Sequence, residues 1–159
     1  MIPNIIHLSY QTDRLKILKE ELNRQNLLSY RIWNGETNGT PKENIARSHK
    51  NIIQYAKEKN LPEVMIMEND CMFPSIDGFQ YFLRNKPNDY DVYISATYTG
   101  SKKVTEQSAK NIKRFSSFHL YIVHERFYDT FLELDTSIKE IDNAVSSLAV
   151  QGKCKVVCC

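Results

Sequence analysis

An acidic group follows a continuous apolar run in the middle of the chain. The run is Val64-Met65-Ile66-Met67, and Glu68, Asn69 and Asp70 come directly after it. An apolar run of this length is typical of a buried strand, and side chains alternate along an extended chain, so Glu68 and Asp70 can face the same side. Two such carboxylates can bind Mg²⁺ or Mn²⁺, which fills its remaining positions with water and phosphate oxygens. The pattern predicts a metal site that suits a diphosphate group. The competing interpretation is a polar strand end in which one acid caps the next turn.

Two other segments contain polar residues that could contact a nucleotide. Ser9 to Arg14 follow the first predicted strand, where the Arg14 guanidinium at a helix start could meet a phosphate or a uracil edge. The alternative for Arg14 is an exposed residue in the first helical turn. Ser48 and His49 lie on a predicted helix, and the apolar stripe that contains His49 favours a core histidine over a ligand, while Ser48 can hydrogen-bond within the helix.

The elements that must position these residues alternate along the chain. Apolar runs predict strands at 2–8, 30–33, 64–67, 92–94 and 120–123, and a buried terminal strand at 154–159. Helical spacing predicts helices at 13–26 with Thr12 as N-cap, from about Lys42 to the break at Leu61-Pro62-Glu63, near Phe79 to Leu83, at 126–134 and at 142–150. The apolar stripe of the second helix is Ile45, His49, Ile52, Ile53 and Ala56.

This alternation predicts the fold class. Strands separated by helices imply crossover units and a mostly parallel sheet with helices on both faces, here as a single α/β domain spanning residues 1–159. The segment from Thr97 to Ala109 has almost no apolar anchor. We therefore predict a mobile surface loop there, which could contribute acceptor contacts.

Composition limits the class of partner and the compartment. The chain has 159 residues with 21 basic and 19 acidic side chains, so its net charge of +2 gives no argument for nucleic-acid binding. No apolar run approaches the roughly 20 residues of a membrane span, and no signal peptide is visible, so we expect a cytoplasmic protein, with peripheral membrane contact left open. Three of its four cysteines fall in the last six residues, which favours reduced thiols over a disulfide framework, with half of a zinc site as the minor alternative.

Several short segments together resemble one known family. In chain order they are Ile5-Ile6-His7-Leu8 with Asp13-Arg14, Trp33-Asn34-Gly35, Ser48-His49, Val64 to Asp70, Phe118 to Val123, and Ile141-Asp142. They resemble the glycosyltransferases that include the bacterial lipooligosaccharide galactosyltransferases and the collagen galactosyltransferases. The likeness covers almost the whole chain, and its most specific piece is the apolar strand followed by Glu68-Asn69-Asp70, where the family has Glu-Asp-Asp.

The resemblance implies a GT-A, Rossmann-like fold and a metal-dependent reaction. The implied activity moves a hexose from a UDP-sugar to a hydroxyl of a glycan or lipid-linked saccharide, as in lipopolysaccharide biosynthesis, with inversion at the anomeric carbon. Asp70 with Glu68 would hold Mn²⁺ or Mg²⁺, and Asp142 would be the general base. The implied donor contacts are Ser9, Arg14, Ser48, Glu68 and Asn69.

The chain also departs from the family pattern. Asn69 replaces the middle acid, and Asn44-Ile45-Ala46-Arg47 lacks the glycine and cysteine that usually precede Ser-His. The sequence given ends at Cys159, where family members continue, so we expect a short member or a fragment. These departures keep two alternatives open: a sugar-nucleotide or glycan binding domain without turnover, and a partner-binding α/β domain without a small ligand. The alternative for Asp142 is an N-cap of the helix that follows it.

Overall fold

The computed structural model describes residues 1–96 and 110–159. The strands are β1 (Pro3–His7), β2 (Arg31–Asn34), β3 (Glu63–Glu68), β4 (Val92–Ile94), β5 (Lys110–Ile112), β6 (Leu120–His124) and β7 (Val156–Cys158). The helices are α1 (Thr12–Arg24), α2 (Pro41–Glu58), α3 (Gly78–Arg84), α4 (Tyr128–Leu132) and α5 (Ile141–Val150), with a 3₁₀ turn at Glu125–Phe127. The loop predicted between Thr97 and Ala109 lies outside the described residues.

The strands form one mixed sheet in the order β2-β1-β3-β6-β4-β7-β5. Parallel pairing joins β1 to β2, β1 to β3 and β4 to β7. Antiparallel pairing joins β6 to both of its neighbours and β5 to β7. Of the seven strands in the described residues, five therefore run in one direction and β5 and β6 run against them. The predicted mostly parallel α/β sheet is confirmed.

Helices cover both faces of this sheet. Along β3 the side chains of Val64 and Ile66 join the apolar cluster that contains α2, α4 and α5 residues, while Met65 and Met67 join the cluster that contains α1 and α3 residues. All four side chains are fully buried. A central strand covered on both faces needs apolar residues at every position, which is why β3 lacks the usual alternation with polar residues.

Helix α2 begins with a complete capping box. The Thr40 hydroxyl accepts a hydrogen bond from the Glu43 N–H, and the Glu43 carboxylate accepts one from the Thr40 N–H at 2.9 Å. Most of the predicted apolar stripe is buried, but Ile45 is 49% exposed and the neighbouring Ala46 is buried in its place. The prediction for Ile45 was wrong because this part of α2 borders an open cleft, which no pattern within the helix reports.

The start of α1 also differs from the prediction. The residue that precedes α1 as N-cap is Gln11 and not Thr12, and it makes no capping hydrogen bond through its side chain.

The predicted terminal strand is present, with Val156 and Val157 buried. All four cysteines are free, as predicted. Within residues 1–96 and 110–159, three side chains lie close enough together to hold a metal ion, and none of them is a cysteine. No helix in these ranges is long and apolar enough to cross a membrane.

A buried carboxylate joins α1 to the segment after β3. Glu21 accepts two hydrogen bonds from Arg24, at 2.6 and 2.8 Å, and one from the Phe73 N–H at 3.0 Å. Burial raises the pKa of Glu21, but these hydrogen bonds and the charge of Arg24 lower it by more. The pKa of Glu21 therefore lies below the ordinary value of 4.5. Ionised Glu21 therefore stabilises the folded state.

We expect Glu21→Gln to lower the free energy of unfolding at neutral pH by about 1–2 kcal/mol, because the charge-assisted bonds to Arg24 are lost. A depressed pKa in the folded state makes this contribution fully present above the unfolded value of 4.5 and removes it as the pH falls through the folded value. Denaturant unfolding of both proteins should therefore show a gap that shrinks as the pH falls from neutral to below 4.5. A gap that stays constant over this range would contradict the assignment.

Candidate functional site

A cleft of about 490 Å³ opens at the edge of the sheet where β1 and β3 end. Its walls come from the loop between β1 and α1, the segment after β2, and the first half of α2. The acidic segment after β3 forms its floor, with Glu68, Asn69 and Asp70 all lining it. In open α/β sheets, ligands bind at this carboxyl edge because the loops there leave a crevice.

Three side chains that can bind a metal converge at this edge. Potential ligand atoms of Glu68, Asp70 and His119 all lie within 4.8 Å of one another. The His119 Nδ1 atom is 3.2 Å from Glu68 Oε2 and 3.1 Å from Asp70 Oδ1. The sequence predicted the two carboxylates, and the structure adds the imidazole.

The direction of β6 explains why His119 was missed. Because β6 is antiparallel to β3, the beginning of β6 lies at the edge where β3 ends, and Met67 pairs with Leu120. The Glu68 N–H donates to the His119 carbonyl oxygen at 2.8 Å, which places the two side chains next to each other. In a parallel pair the residue before the strand would lie at the opposite edge. The histidine itself was a visible signal, but its strand's direction was not.

The charges of Glu68, Asp70 and His119 stabilise one another. Hydrogen bonds with Asp70 and Glu68 raise the pKa of His119 to about 10. Burial raises the pKa of Glu68, but hydrogen bonds from His119 and His49 outweigh it and leave the pKa of Glu68 at about 2. The imidazolium thus balances the carboxylates. A divalent cation bound among the same atoms would supply this balance and release the proton, since a metal-binding imidazole is neutral.

A buried hydrogen-bonded chain supports Glu68 from behind. The His49 Nε2 atom is 3.2 Å from Glu68 Oε1, and the His49 Nδ1 atom is 2.7 Å from the Tyr121 hydroxyl oxygen. A carboxylate only accepts, so the proton belongs on Nε2, and in the neutral ring Nδ1 then accepts from the Tyr121 hydroxyl. His49 is 1% exposed and Tyr121 is fully buried. The predicted core histidine is therefore confirmed, and in addition it holds a carboxylate that lines the cleft.

The donor set fits a divalent cation of the predicted kind. Two carboxylate oxygens and one imidazole nitrogen form one side of a coordination sphere. Mg²⁺ and Mn²⁺ are six-coordinate, so three positions would remain for water and phosphate oxygens.

Arg14 and Ser48 both line the cleft. The Arg14 Nη1 atom lies 3.8 Å from Asp70 Oδ2, and both side chains are about half exposed. The Ser48 hydroxyl donates to the Asn44 carbonyl oxygen at 2.7 Å within α2, as predicted. It also accepts from the Glu36 N–H at 2.8 Å, so it fastens the segment after β2 to the helix. Two hydrogen bonds thus hold the Ser48 hydroxyl in place, while the half-exposed Arg14 side chain pairs with Asp70.

The remaining donor candidates differ in position. Ser9 is exposed in the turn after β1 and does not line the cleft, although Tyr10 and Gln11 do. The Asn69 amide nitrogen lies 3.1 Å from His7 Nδ1 and donates to Gln11 Oε1 at 2.9 Å. Burial lowers the pKa of His7, so the ring is neutral and can accept. A carboxylate at position 69 could not donate a hydrogen bond to either partner. These two contacts therefore explain why an amide side chain suits position 69.

Asp142 lies beside the metal-ligand group. It lines a small pocket of about 170 Å³ together with Glu68 and His119. Its Oδ2 atom accepts from the Ser117 N–H and its Oδ1 atom from the Asn143 N–H, both at 2.6 Å. The N-cap of α5 is Glu140, so the alternative interpretation of Asp142 as the N-cap was wrong.

Comparison with solved structures identifies the class of fold. A glycosyltransferase involved in glycosylation of the major capsid of the virus PBCV-1 is 13% identical, with a TM-score of 0.53 over 87% of this chain and 68% of its own. A protein from Desulfovibrio desulfuricans G20, provisionally named a nucleotide-diphospho-sugar transferase, is 12% identical, with a TM-score of 0.53 over all of this chain and 80% of its own. The bifunctional IspDF from Campylobacter jejuni is 10% identical, with a TM-score of 0.50 over 49% of its length.

These likenesses define a GT-A-like α/β fold. No protein-family model and no curated protein sequence matches the chain. At 10–13% identity the likeness is one of fold, so the activity has to be argued from the site.

Proposed function

We propose that this protein is a metal-dependent glycosyltransferase that moves a hexose from a UDP-sugar to a hydroxyl of a glycan or lipid-linked saccharide. The observation that carries the proposal is the convergence of Glu68, Asp70 and His119 on the floor of a cleft at the carboxyl edge of the sheet. This is the edge at which nucleotides bind in α/β folds, and the donor set suits a cation that bridges to phosphate oxygens.

Other residues that line the cleft, on either side of the proposed metal ligands, could contact a bound sugar nucleotide. Arg14, in the first turn of α1, is close enough to Asp70 to reach a phosphate bound there, and the N-terminus of α1 favours an anion. Ser48 and Asn69 line the cleft and complete the proposed donor contacts, whereas Ser9 does not line it and is left out. When bound, Mn²⁺ or Mg²⁺ would neutralise the charge that develops on the departing diphosphate.

Asp142 is the proposed general base. In the transfer, the acceptor oxygen forms a bond to the anomeric carbon while the bond from that carbon to the UDP phosphate oxygen breaks, and UDP leaves with that electron pair. The proton of the acceptor hydroxyl passes to the Asp142 carboxylate. Attack opposite to the departing diphosphate inverts the anomeric carbon. The pocket shared by Asp142, Glu68 and His119 is the support for this arrangement.

Nucleotide binding tests the donor site directly. A ligand present at 100 times its Kd raises the free energy of unfolding by about 2.7 kcal/mol, so UDP with Mn²⁺ should raise the melting temperature by several degrees. We expect Asp70→Ala to lose this shift. The matched control is Asp129→Ala, which removes an exposed carboxylate that pairs with Lys57 in the last turn of α2, away from the cleft, and should keep the shift. No shift in the folded wild-type protein with any UDP-sugar would contradict the proposal.

A second measurement separates catalysis from binding. A glycosyltransferase should slowly hydrolyse its UDP-sugar when no acceptor is present, and the reaction should require the divalent ion. Uptake of UDP with metal and no hydrolysis would instead indicate a binding domain without turnover. A folded protein that neither binds nor hydrolyses UDP-sugars would indicate a partner-binding domain.

A further inference from the structure

We propose that the acceptor of this enzyme carries an anionic group, a phosphate or a carboxylate, which binds in a basic groove between α2 and α5. This inference rests on the proposed function, because it names the substrate class of the same active site. The basic groove is defined by Lys42, Arg114, Lys139 and Glu140, with Ser146 and Ser147 along α5. Its volume is about 1000 Å³, enough for more than one sugar ring.

The basic groove is continuous with the donor cleft through the pocket that contains Asp142. Lys42 and Glu140 line both the basic groove and this small pocket. Ile45 and Glu68 line both the small pocket and the donor cleft. The three cavities therefore lie in series, with Asp142 between the metal ligands and the basic groove. A saccharide in the groove would be able to present a hydroxyl to Asp142 beside the bound donor.

The described residues that line the groove include more cations than carboxylates. Lys42 donates to the Ser137 carbonyl oxygen, and Lys139 donates to the Ser147 hydroxyl at 2.8 Å, so both lysines have uncharged partners. Within residues 1–96 and 110–159, none of the three groove cations is within ion-pair distance of a carboxylate. Among the described residues that line the groove, three cations face one carboxylate, that of Glu140.

Two carboxylates, those of Glu43 and Asp135, attract Lys42 through space, but both accept hydrogen bonds from other groups. The Glu43 carboxylate accepts from Thr40 in the capping box of α2, and the Asp135 carboxylate accepts from the Ser137 N–H and hydroxyl. The N-terminus of α5 also faces the groove, and the side chain of its N-cap, Glu140, makes no capping hydrogen bond. The helix dipole there adds to the attraction for an anion. An anionic acceptor would give the groove cations an anion in direct contact.

Binding of simple saccharides tests the groove without a nucleotide. The probes are mannose 6-phosphate with mannose, and galacturonic acid with galactose, titrated by calorimetry into the wild-type protein. We expect at least one anionic sugar to bind at least about tenfold more tightly than its neutral partner, since a charge-assisted hydrogen bond favours the ionised ligand by this much. The two pairs distinguish a phosphate from a carboxylate as the anionic group.

Matched variants localise the site. The double variant Lys42→Ala with Lys139→Ala should weaken binding of the anionic sugar by about tenfold or more. The double variant Lys16→Ala with Lys19→Ala removes the same charge from exposed positions on α1, on the other face of the sheet, and should leave binding unchanged. Equal affinity for charged and neutral sugars, or an unchanged affinity in the groove variant, would overturn the inference.

Failure of this inference can be told apart from failure of the proposed function. Neither groove lysine lines the donor cleft, so the groove variant should retain the full thermal shift with UDP and Mn²⁺. A lost UDP shift in the wild-type protein removes the transferase proposal. Lost selectivity for anionic sugars, with the UDP shift intact, removes the basic groove alone.

Discussion

Glu68→Gln is expected to lower metal-dependent turnover of a UDP-sugar by about 10²–10³-fold, the usual effect of removing one preorganised electrostatic group from an active site. The amide preserves the shape of the side chain but removes the charge that holds both histidines and would hold the proposed cation. It also brings an N–H group that cannot bind metal. The measurement is the rate of UDP release at several Mn²⁺ concentrations, with unfolding followed separately.

The same strand provides a matched control. Glu63 begins β3 as Glu68 ends it, and its carboxylate accepts hydrogen bonds from Lys86 and Tyr90. These bonds lower the pKa of Glu63 against the effect of burial. Glu63→Gln should therefore reduce the stability of the fold while turnover and Mn²⁺ dependence of the folded protein remain. Equal loss of turnover in both variants would show that Glu68 acts only through the stability of β3.

His49→Leu is expected to lower the free energy of unfolding by about 2–4 kcal/mol and the affinity for Mn²⁺ by about 10- to 100-fold. Leucine is of similar size but leaves the buried Tyr121 hydroxyl without its acceptor and Glu68 without one donor. The first loss affects stability, and the second frees Glu68 to rotate. Denaturant unfolding and Mn²⁺ titration report the two effects separately.

A second substitution sharpens this test. Replacing both partners of a buried hydrogen bond by apolar groups costs less than leaving one of them unpaired. His49→Leu with Tyr121→Phe should therefore be more stable than His49→Leu alone, although Mn²⁺ affinity stays low in both. An unchanged or lower stability in the double variant would show that the Tyr121 hydroxyl does not depend on His49. Normal Mn²⁺ affinity in His49→Leu would show that His49 does not position Glu68.

The residues of the candidate active site come from different parts of the chain. Glu68 and Asp70 belong to one strand end, whereas His119 and Asp142 come from segments roughly 50 and 70 residues further on. The supporting layer behind them is also assembled over distance, since His49 on α2 meets Tyr121 on β6. A fold that assembles the site from four elements gives each substitution a distinct expected result.

Much of the framework was readable from local patterns. The buried run before Glu68 indicated a central strand, because only a strand covered on both faces tolerates apolar residues at every position. The spacing of His49, Ile52, Ile53 and Ala56 indicated the buried stripe of α2. These features depend on residues a few positions apart, so the sequence alone determined most elements, the α/β class and the two carboxylates.

Only the tertiary structure decided what those elements bring together. The apolar residues of β6 are compatible with either strand direction, and the antiparallel direction is what places His119 beside Glu68. Ile45 is exposed because a cleft opens beside α2, and Asp142 reaches the same small pocket as Glu68 because α5 packs against the face that α2 covers. Strand direction and packing depend on contacts between residues far apart in sequence. Hydrophobic periodicity is set within a single element and contains no information about them.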